Sequence, residues 1–224
     1  MTKNLISALA FLLPAAAMAV QKPYSISSPD GNISVEVTVD GQVSYSMYHD
    51  GDLLLDESSI SMTLDDGTVY GLDSGRPVCR TVSGDRTIES PFYKKSEIRD
   101  RYNEMSLEFR KFILRFRVYD EGMAYRFISK SGVPFKVVSE QAVFSFPEDS
   151  YSYVPYVKKP AGESFESQFY NSFENTYSHV RLSEWDSRRL AFMPVAVEAA
   201  GGRTLCITEA DLLDYPGMYL NNPD

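Results

Sequence analysis

The feature that most constrains the fold is a series of Asp-Gly turn signals, which separate short segments of alternating polar and apolar residues. An alternating segment buries one side of an extended chain, and an Asp-Gly pair supplies the backbone torsions of a tight hairpin. The pattern therefore predicts consecutive antiparallel strands. The alternating segments are 34–39, 43–49 and 59–64, with an apolar run at 53–55, and the turn signals are Asp40-Gly41, Asp50-Gly51 and Asp65-Asp66-Gly67.

Similar segments recur later in the chain, with turns about eight to twelve residues apart, a spacing typical of antiparallel sandwiches. No stretch beyond the N-terminal apolar run has a helical period over about eleven residues. The sequence thus predicts an all-β fold in one large domain, an antiparallel β-sandwich. The later predicted strands are 102–109, 112–119, 123–128 and 142–146, and then 190–197 and 203–208, which flank Gly201-Gly202.

Two regions have little periodicity. Residues 71–101 are interrupted by several Gly and Pro residues, so loops and edge strands are predicted there. Residues 147–177 are aromatic and charged, and the region is long for a simple loop. It is therefore a candidate binding insertion.

Composition excludes one class of partner. The 224 residues are 43% hydrophobic, and the formal charge is -9. Lys and Arg form no cluster beyond pairs such as Lys94-Lys95, so the chain lacks the basic surface that grips phosphate backbones. We expect no nucleic-acid partner.

The first nineteen residues have the pattern of a secretory signal. Lys3 precedes an apolar run at 5–17, which ends in Ala17-Met18-Ala19. The run is too short to span a membrane, and its small-residue end favours cleavage after Ala19. The mature chain would then comprise residues 20–224. No second apolar run of spanning length follows, so a secreted or periplasmic location is predicted.

Export permits a disulfide between the two cysteines, Cys79 and Cys206. Each lies in an apolar, strand-like context, and two separately buried thiols are equally compatible with the sequence. The sequence leaves both alternatives open.

The most distinctive candidate site is the segment 207–220. Glu209, Asp211, Asp214 and Tyr215 follow an apolar strand and precede the Pro216-Gly217 break. The carboxylates could form a hard-cation site, an acid/base pair for glycosidic bonds or contacts to sugar hydroxyls, or they could belong to a solvated acidic turn. Calcium binds about six to eight oxygens, so a metal here would need further ligands from elsewhere.

Other residues carry weaker signals. His49 and His179 have no Cys or His at ligand spacing, which argues against a zinc site or a His-based triad. The Arg188-Arg189 pair could clamp a carboxylate, although an exposed turn is favoured. Aromatic side chains could stack on sugars but are expected mostly in the core. These are Trp185, Tyr151, Tyr153, Tyr156, Tyr170 and Tyr177.

Three stretches carry a resemblance to a known family. Ser-Pro-Asp-Gly-Asn at 28–32, Tyr-Arg-Phe at 125–127 and the segment 207–220 resemble the N-terminal domain of glycoside hydrolase family 97. The resemblance implies a galactose-mutarotase-like super-sandwich, which in the family is followed by a catalytic (β/α)8 barrel and a small β domain. The chain would then be one domain of a longer enzyme, with no catalytic carboxylate of its own.

The resemblance also implies a function. The family includes exported α-glucosidases and α-galactosidases, and its sandwich domain contributes one glutamate to an active-site calcium. That role transfers to Glu209, while Asp211, Asp214 and Tyr215 become candidates for supporting or domain contacts. The expected partners are an oligosaccharide and a downstream barrel. Substrate sugar and inverting or retaining stereochemistry stay open. A non-catalytic carbohydrate-binding or envelope β-sandwich protein is the alternative.

Overall fold

The computed structural model describes residues 22–158, 164–170 and 172–222. The predicted signal sequence lies outside these residues. The strands in chain order are β1 (Tyr24–Ser27), β2 (Ile33–Asp40), β3 (Gln42–His49), β4 (Asp52–Leu64), β5 (Val69–Tyr70), β6 (Val78–Glu89), β7 (Glu97–Glu108), β8 (Phe112–Tyr119), β9 (Gly122–Ser129), β10 (Val137–Ala142), β11 (Tyr151–Val154), β12 (Ser178–Arg181), β13 (Val195–Ala199) and β14 (Arg203–Ile207). Short 3-10 helices span Phe165–Tyr170, Leu182–Glu184 and Ala200–Gly202.

The described strands form three antiparallel sheets. The first has the order β1-β2-β3-β4-β10, with β5 also paired to β4. The second has the order β6-β7-β8-β9, and the third has the order β12-β11-β13-β14. The predicted turns are confirmed, because Gly41, Gly51 and Gly67 adopt positive φ angles of 67°, 85° and 78°. The prediction of an all-β antiparallel sandwich is confirmed.

The main core lies between the first two sheets. Alternate residues of β8 are buried, and they pack against buried residues of β2, β3 and β4. Tyr45 contacts Phe116 and Tyr125 with ring centroids 5.9 Å apart in both pairs. The alternating pattern of the sequence therefore identifies the strand faces that meet at this interface. The buried residues include Val35, Val37, Ile60, Phe112, Leu114 and Val118.

A smaller core lies beneath the third sheet. Val154 of β11 and Val195 and Val197 of β13 are buried there with Ala191 and Tyr156. Phe146 packs against both cores, which connects the third sheet to the main sandwich. The C-terminal segment closes this smaller core, since Leu220 exchanges two backbone hydrogen bonds with Ala191, at 2.7 and 3.0 Å.

The loops predicted at 71–101 are partly wrong. Strands β6 and β7 form a hairpin that pairs residue by residue from Val78↔Glu108 to Glu89↔Glu97. Strand β6 lies at the edge of its sheet, as predicted, and is exposed along nearly its whole length, so the sequence carries no apolar alternation there. Cross-strand ion pairs accompany the backbone ladder, and they are Arg80–Glu108, Asp85–Arg99 and Arg86–Asp100.

Two further predictions need correction, and the structure adds detail to a third. The strand predicted at 142–146 is wrong in its bounds, because it shares only Ala142 with β10, while the amides of Val143 and Ser145 still bond to Ser59 and Ser58 of β4. The predicted insertion 147–177 contains β11 and a 3-10 helix. Cys79 and Cys206 are free and exposed, so neither of the two alternatives left open by the sequence, a disulfide or two buried thiols, is found. They lie on edge strands, β6 and β14, whose outer faces are open.

None of the helices among the described residues has the length and apolar character that a membrane span requires.

Candidate functional site

The predicted acidic segment follows β14 and has no regular secondary structure. Its first end is fixed by buried Ile207 at the end of β14, and its second end is fixed by the pairing of Leu220 with Ala191. Asp211 and Asp214 have φ angles of 61° and 57°, a left-handed conformation that Asp tolerates better than most residues. The chain bends at residues 213–215 and returns toward its own start, since the Met218 amide bonds to Glu209, so residues 208–219 form a compact loop at the surface, the Glu209 loop.

Side-chain contacts attach this loop to two strands from different sheets. Asp211 forms an ion pair with Arg126 of β9, with 3.0 Å between Oδ2 and Nη2. The hydroxyl of Tyr215 donates a 2.8 Å hydrogen bond to Oε2 of Glu140 on β10. Strands β9 and β10 are the last strands of their sheets, so the loop bridges two open sheet edges.

The Tyr215 hydroxyl stays protonated, and so remains a hydrogen-bond donor, at neutral pH. Partial burial raises the pKa of its phenol, and the hydrogen bond to Glu140 raises it further. Burial likewise raises the pKa of neighbouring Tyr125, which lies in the core beside β10. The Tyr215–Glu140 bond therefore joins a neutral donor to a carboxylate, the stronger class of hydrogen bond.

Glu209 is held by the backbone of the same loop. Its Oε2 atom accepts a 2.7 Å hydrogen bond from the amide of Met218. Gly217 lies close by, since a Cβ built on it would stand 3.7 Å from Oε2. The side chain is half-buried, and Oε1 has no hydrogen-bond partner among the described residues. One oxygen thus orients the carboxylate, and the other can bind a ligand.

The structure separates the three carboxylates that the sequence places together. Glu209 faces Met218 and Asp211 faces Arg126, while Asp214 is exposed. The described residues contain no group of three His, Cys, Asp or Glu side chains able to hold a metal ion. Glu209 by itself offers one free carboxylate oxygen, fewer than the roughly six to eight oxygens that a calcium ion binds.

Sequence reasoning missed two residues of this site. Arg126 belongs to the Tyr-Arg-Phe motif, but nothing in the motif indicates its ion pair with Asp211. Glu140 lies in a strand with exposed residues at most positions, so no periodic signal marks it. Its contact with Tyr215 spans 75 residues of sequence, and only the fold brings the two together.

An aromatic cluster adjoins the loop at Tyr219, one residue after Met218. Tyr219 contacts Phe169 and Phe192 with centroid distances of 5.2 and 5.1 Å, and Phe192 contacts Phe173 at 5.8 Å. Phe169 keeps 49% of its surface exposed. The cluster forms a partly open apolar surface beside the Glu209 loop.

The expectation that the other aromatic residues fill the core is wrong at most positions. Tyr156 is buried and its hydroxyl accepts a 2.9 Å bond from the Asp186 amide, whereas Tyr170 is 93% exposed. Trp185 is half-buried, and its indole nitrogen donates to Ser152 at 2.8 Å. The remaining exposed members are Tyr151, Tyr153 and Tyr177.

The isolated basic residues are accounted for locally. His49 lies within β3, and His179 of β12 contacts Glu198 at 3.0 Å. Arg188 pairs with Asp186, and the guanidinium of Arg189 lies over the Tyr156 ring at 4.6 Å. The Arg188-Arg189 pair therefore does not act as one clamp.

Comparisons with known proteins agree with this architecture. Residues 26–224 match the family model described as Glycosyl-hydrolase 97 N-terminal. The chain is 42% identical over 220 residues to a retaining alpha-galactosidase of Bacteroides thetaiotaomicron. That alignment covers 98% of this chain and 33% of the relative, so the chain spans about a third of the relative's length.

Solved structures share the fold at lower identity. A glycoside hydrolase family 97 enzyme from Pseudoalteromonas sp. strain K8, in complex with panose, superposes with a TM-score of 0.73 at 20% identity. The match covers 89% of this chain and 30% of that enzyme. A beta-arabinopyranosidase superposes with a TM-score of 0.69 at 19% identity, covering 82% of this chain and 31% of the other. With the family model matching nearly the whole chain, this protein belongs to the glycoside hydrolase family 97 N-terminal domain family.

Proposed function

We propose that the chain is the N-terminal sandwich domain of a calcium-dependent, exo-acting α-glycosidase that removes terminal sugars from α-linked oligosaccharides. The observation that carries this proposal is the 42% identity to a retaining alpha-galactosidase over 98% of the chain. An α-galactoside is therefore the favoured substrate, with a retaining outcome, and an α-glucoside is the second candidate.

The catalytic carboxylates are assigned to a (β/α)8 barrel outside the 224 residues. Retaining and inverting hydrolases both need two carboxyl groups on either side of the scissile bond, at separations that differ by a few ångströms. Within the described residues, the Glu209 loop offers one oriented carboxylate and no second one directed toward the same point. By itself the sandwich domain should be inactive.

Glu209 is proposed to be the calcium ligand that the sandwich domain contributes. Its Oε1 atom is the oxygen left for the ion, because Oε2 is engaged by the Met218 amide. When bound, calcium would polarise an oxygen of the substrate or orient the catalytic acid. The chain's own contribution is positional, since Tyr215 and Asp211 tie the loop to β10 and β9 and thereby fix where Glu209 stands.

The aromatic cluster around Tyr219 is proposed to form the adjoining wall of the pocket or the contact with the barrel. Its exposed rings lie beside the loop that carries Glu209, and apolar surface of this kind is normally covered by another domain or a ligand. Leu212, Leu213 and Tyr215 of the same loop are exposed as well and could contribute to the same contact.

The decisive experiment uses the full-length product of the reading frame. Hydrolysis of nitrophenyl α-galactoside and α-glucoside is measured with native protein, after EDTA and after calcium is restored. We expect loss with EDTA, recovery with calcium and a loss of about a hundredfold or more in kcat/KM for Glu209→Gln, which keeps the shape but not the charge. Calcium affinity measured by calorimetry should fall in parallel.

The matched control is Glu89→Gln, at an exposed carboxylate on the distant end of β6. It should leave both calcium affinity and turnover unchanged. Activity indifferent to EDTA and to Glu209→Gln would remove the metal role and return the loop to a solvated turn. Absence of hydrolysis with both substrates would instead favour a non-catalytic carbohydrate-binding protein.

A secreted or periplasmic location is part of the proposal. It rests on the apolar run and the Ala17-Met18-Ala19 ending, in residues that the structure does not describe. N-terminal sequencing of exported protein should begin at Val20, and an intact Met1 would contradict it.

A further inference from the structure

The outer face of the third sheet carries a cluster of side chains that the Glu209 site does not use. Because strands alternate, Ser152, Val154, Val195 and Val197 face the smaller core, and their neighbours along the strands face outward. The backbone register places the outward residues side by side. These are Tyr151, Tyr153, His179, Arg181, Ala196, Glu198, Thr204 and Cys206.

Four of these residues form one stacked ridge. The His179 ring stacks on Tyr153 with centroids 4.4 Å apart and planes 16° apart, and it also contacts Tyr151 at 4.9 Å. The Arg181 guanidinium covers the Tyr151 ring at 4.4 Å and is fixed by a 2.8 Å bond to the Asp149 carbonyl. The ridge is thus held together by contacts among its own side chains and one bond to the backbone.

Glu198 adds a carboxylate beside the aromatic rings of the ridge. Its Oε1 atom lies 3.0 Å from His179 Nε2 and accepts a 3.4 Å hydrogen bond from the Tyr153 hydroxyl. Its Oε2 atom has no hydrogen bond within the described part of the chain. A carboxylate oriented through one oxygen leaves the other to accept bonds from hydroxyl groups.

On the side of Tyr153 that faces β13 and β14, the outward side chains are small. The residue paired with Tyr153 is Ala196, and the residue paired with Ala196 is Cys206, so small side chains follow a large ring. Glu198 and Thr204, which are paired to each other, stand next along the strands. The result is a ledge with an aromatic wall, a small-residue floor and a polar rim.

This surface stays open although it is rich in aromatic rings. Tyr151 and Tyr153 are 40% and 39% exposed, and the His179 and Glu198 side chains are 46% and 45% exposed. Aromatic rings with a few placed polar groups are the usual components of small-molecule and sugar sites. The exposed carboxylates Asp149 and Glu198 and the net charge of -9 disfavour an anionic ligand.

We propose that this ledge is a second carbohydrate-binding surface, which takes one neutral sugar unit of an oligosaccharide chain. The sugar ring packs on the free side of Tyr153 above Ala196, and its hydroxyls donate to Glu198 and bond with Thr204. The choice of a sugar rests in part on the proposed glycosidase function. The Glu209 loop, however, is attached to Arg126 and Glu140 on strands of the other two sheets, so the surface serves to hold substrate and not to cleave it.

Affinity electrophoresis of the full-length product through gels containing galactomannan or pullulan tests this proposal. Galactomannan carries α-galactosyl branches and pullulan is an α-glucan, so the two gels also report the preferred sugar. Loss of a stacking ring is expected to weaken retardation by about tenfold in Tyr153→Ala, equivalent to roughly 1.4 kcal/mol. Glu198→Gln should weaken it as well, while Tyr153→Phe should retain most of it.

The matched control is Tyr170→Ala, which removes a 93% exposed ring outside the ridge and should leave retardation unchanged. Turnover of nitrophenyl α-galactoside should be the same in native protein and Tyr153→Ala, because that substrate is too short to reach a second surface.

Native protein that is not retarded by either polysaccharide overturns the proposal, as does equal retardation of native protein and Tyr153→Ala. Joint loss of retardation and turnover overturns it too, because the ridge would then belong to the active site or the fold. Retardation without any turnover would leave this surface standing and contradict the proposed glycosidase activity.

Discussion

Strand β8 and the Glu209 loop occupy their positions for different reasons. Every second residue of β8 is buried in the main core, and both of its edges are paired with neighbouring strands. The loop has no backbone ladder between Ile207 and Leu220, and individual side chains attach it to β9 and β10. Many packing contacts hold β8 in place, whereas a few side-chain contacts hold the Glu209 loop. Substitutions should therefore divide into those that unfold the sandwich and those that only release the loop.

The largest effect is expected in the packed region. Phe116→Ala removes a fully buried ring that contacts Tyr45 and Tyr125, and it should lower the free energy of unfolding by about 3–5 kcal/mol. Urea denaturation followed by tryptophan fluorescence measures this. The control Phe92→Ala, at a fully exposed position, should change stability by less than about 0.5 kcal/mol. Similar losses in the two variants would contradict the assigned core.

Tyr215→Phe should act on the loop with little effect on the sandwich. It removes the 2.8 Å bond to Glu140 from a residue that is 37% exposed, so a local loss of about 1 kcal/mol is expected. Hydrogen exchange measured by mass spectrometry should show about fivefold faster exchange in peptides covering 208–219. Peptides from β8 should exchange as in native protein, and Tyr170→Phe serves as the control. Faster exchange throughout both sheets would show that loop and core unfold together.

A smaller, salt-dependent effect is expected for Asp211→Asn. Both members of the Arg126–Asp211 pair are more than half exposed, so the pair contributes about 0–1 kcal/mol. Exchange in the loop should accelerate modestly at low salt, and native protein in about 0.5 M NaCl should approach the variant because salt screens exposed charges. Asp214→Asn, at an exposed position of the same loop, is the control. An effect that persists unchanged at high salt would assign Asp211 a different role.

The smallest effect on stability is expected in the turn at residues 28–32, whose side-chain hydrogen bonds join near neighbours in sequence. In the Ser-Pro-Asp-Gly-Asn turn, the Ser28 hydroxyl and the Asn32 amide donate to Asp30 and lower its pKa from the ordinary value of 3.8. A carboxylate with a lowered folded pKa stabilises the fold above its unfolded pKa, and this contribution is lost as pH falls through the folded pKa. Asp30→Asn should therefore lower the thermal midpoint at pH 7 and have less effect near pH 3. A difference that grows on acidification would contradict this.

Sequence reasoning was successful where one face of a strand is buried. Residues 112–119 alternate because Phe112, Leu114, Phe116 and Val118 face the core, and the predicted strand is β8. At 71–101 the sequence predicts edge strands among loops but not the long regular hairpin of β6 and β7, because water reaches both faces of β6 and removes the alternation. The position of the site was predicted at Glu209, Asp211 and Tyr215, but their partners were not. Arg126 and Glu140 lie far away in sequence, and side-chain contacts between sheet edges leave no local pattern.

The exposed strand β6 also bears on solubility. As the last strand of its sheet over 12 residues, it presents a long row of backbone amide and carbonyl groups to solvent, which is a template for pairing with another chain. Charged side chains on both of its faces, among them Arg80, Asp85 and Arg86, oppose such pairing. The exposed pairs Arg80–Glu108 and Asp85–Arg99 contribute only about 0–1 kcal/mol each to stability, so their charges matter more for preventing aggregation. Replacing Arg80 and Asp85 with valine should promote concentration-dependent assembly, visible by light scattering, while the melting temperature hardly changes, because both residues and their partners are accessible to solvent.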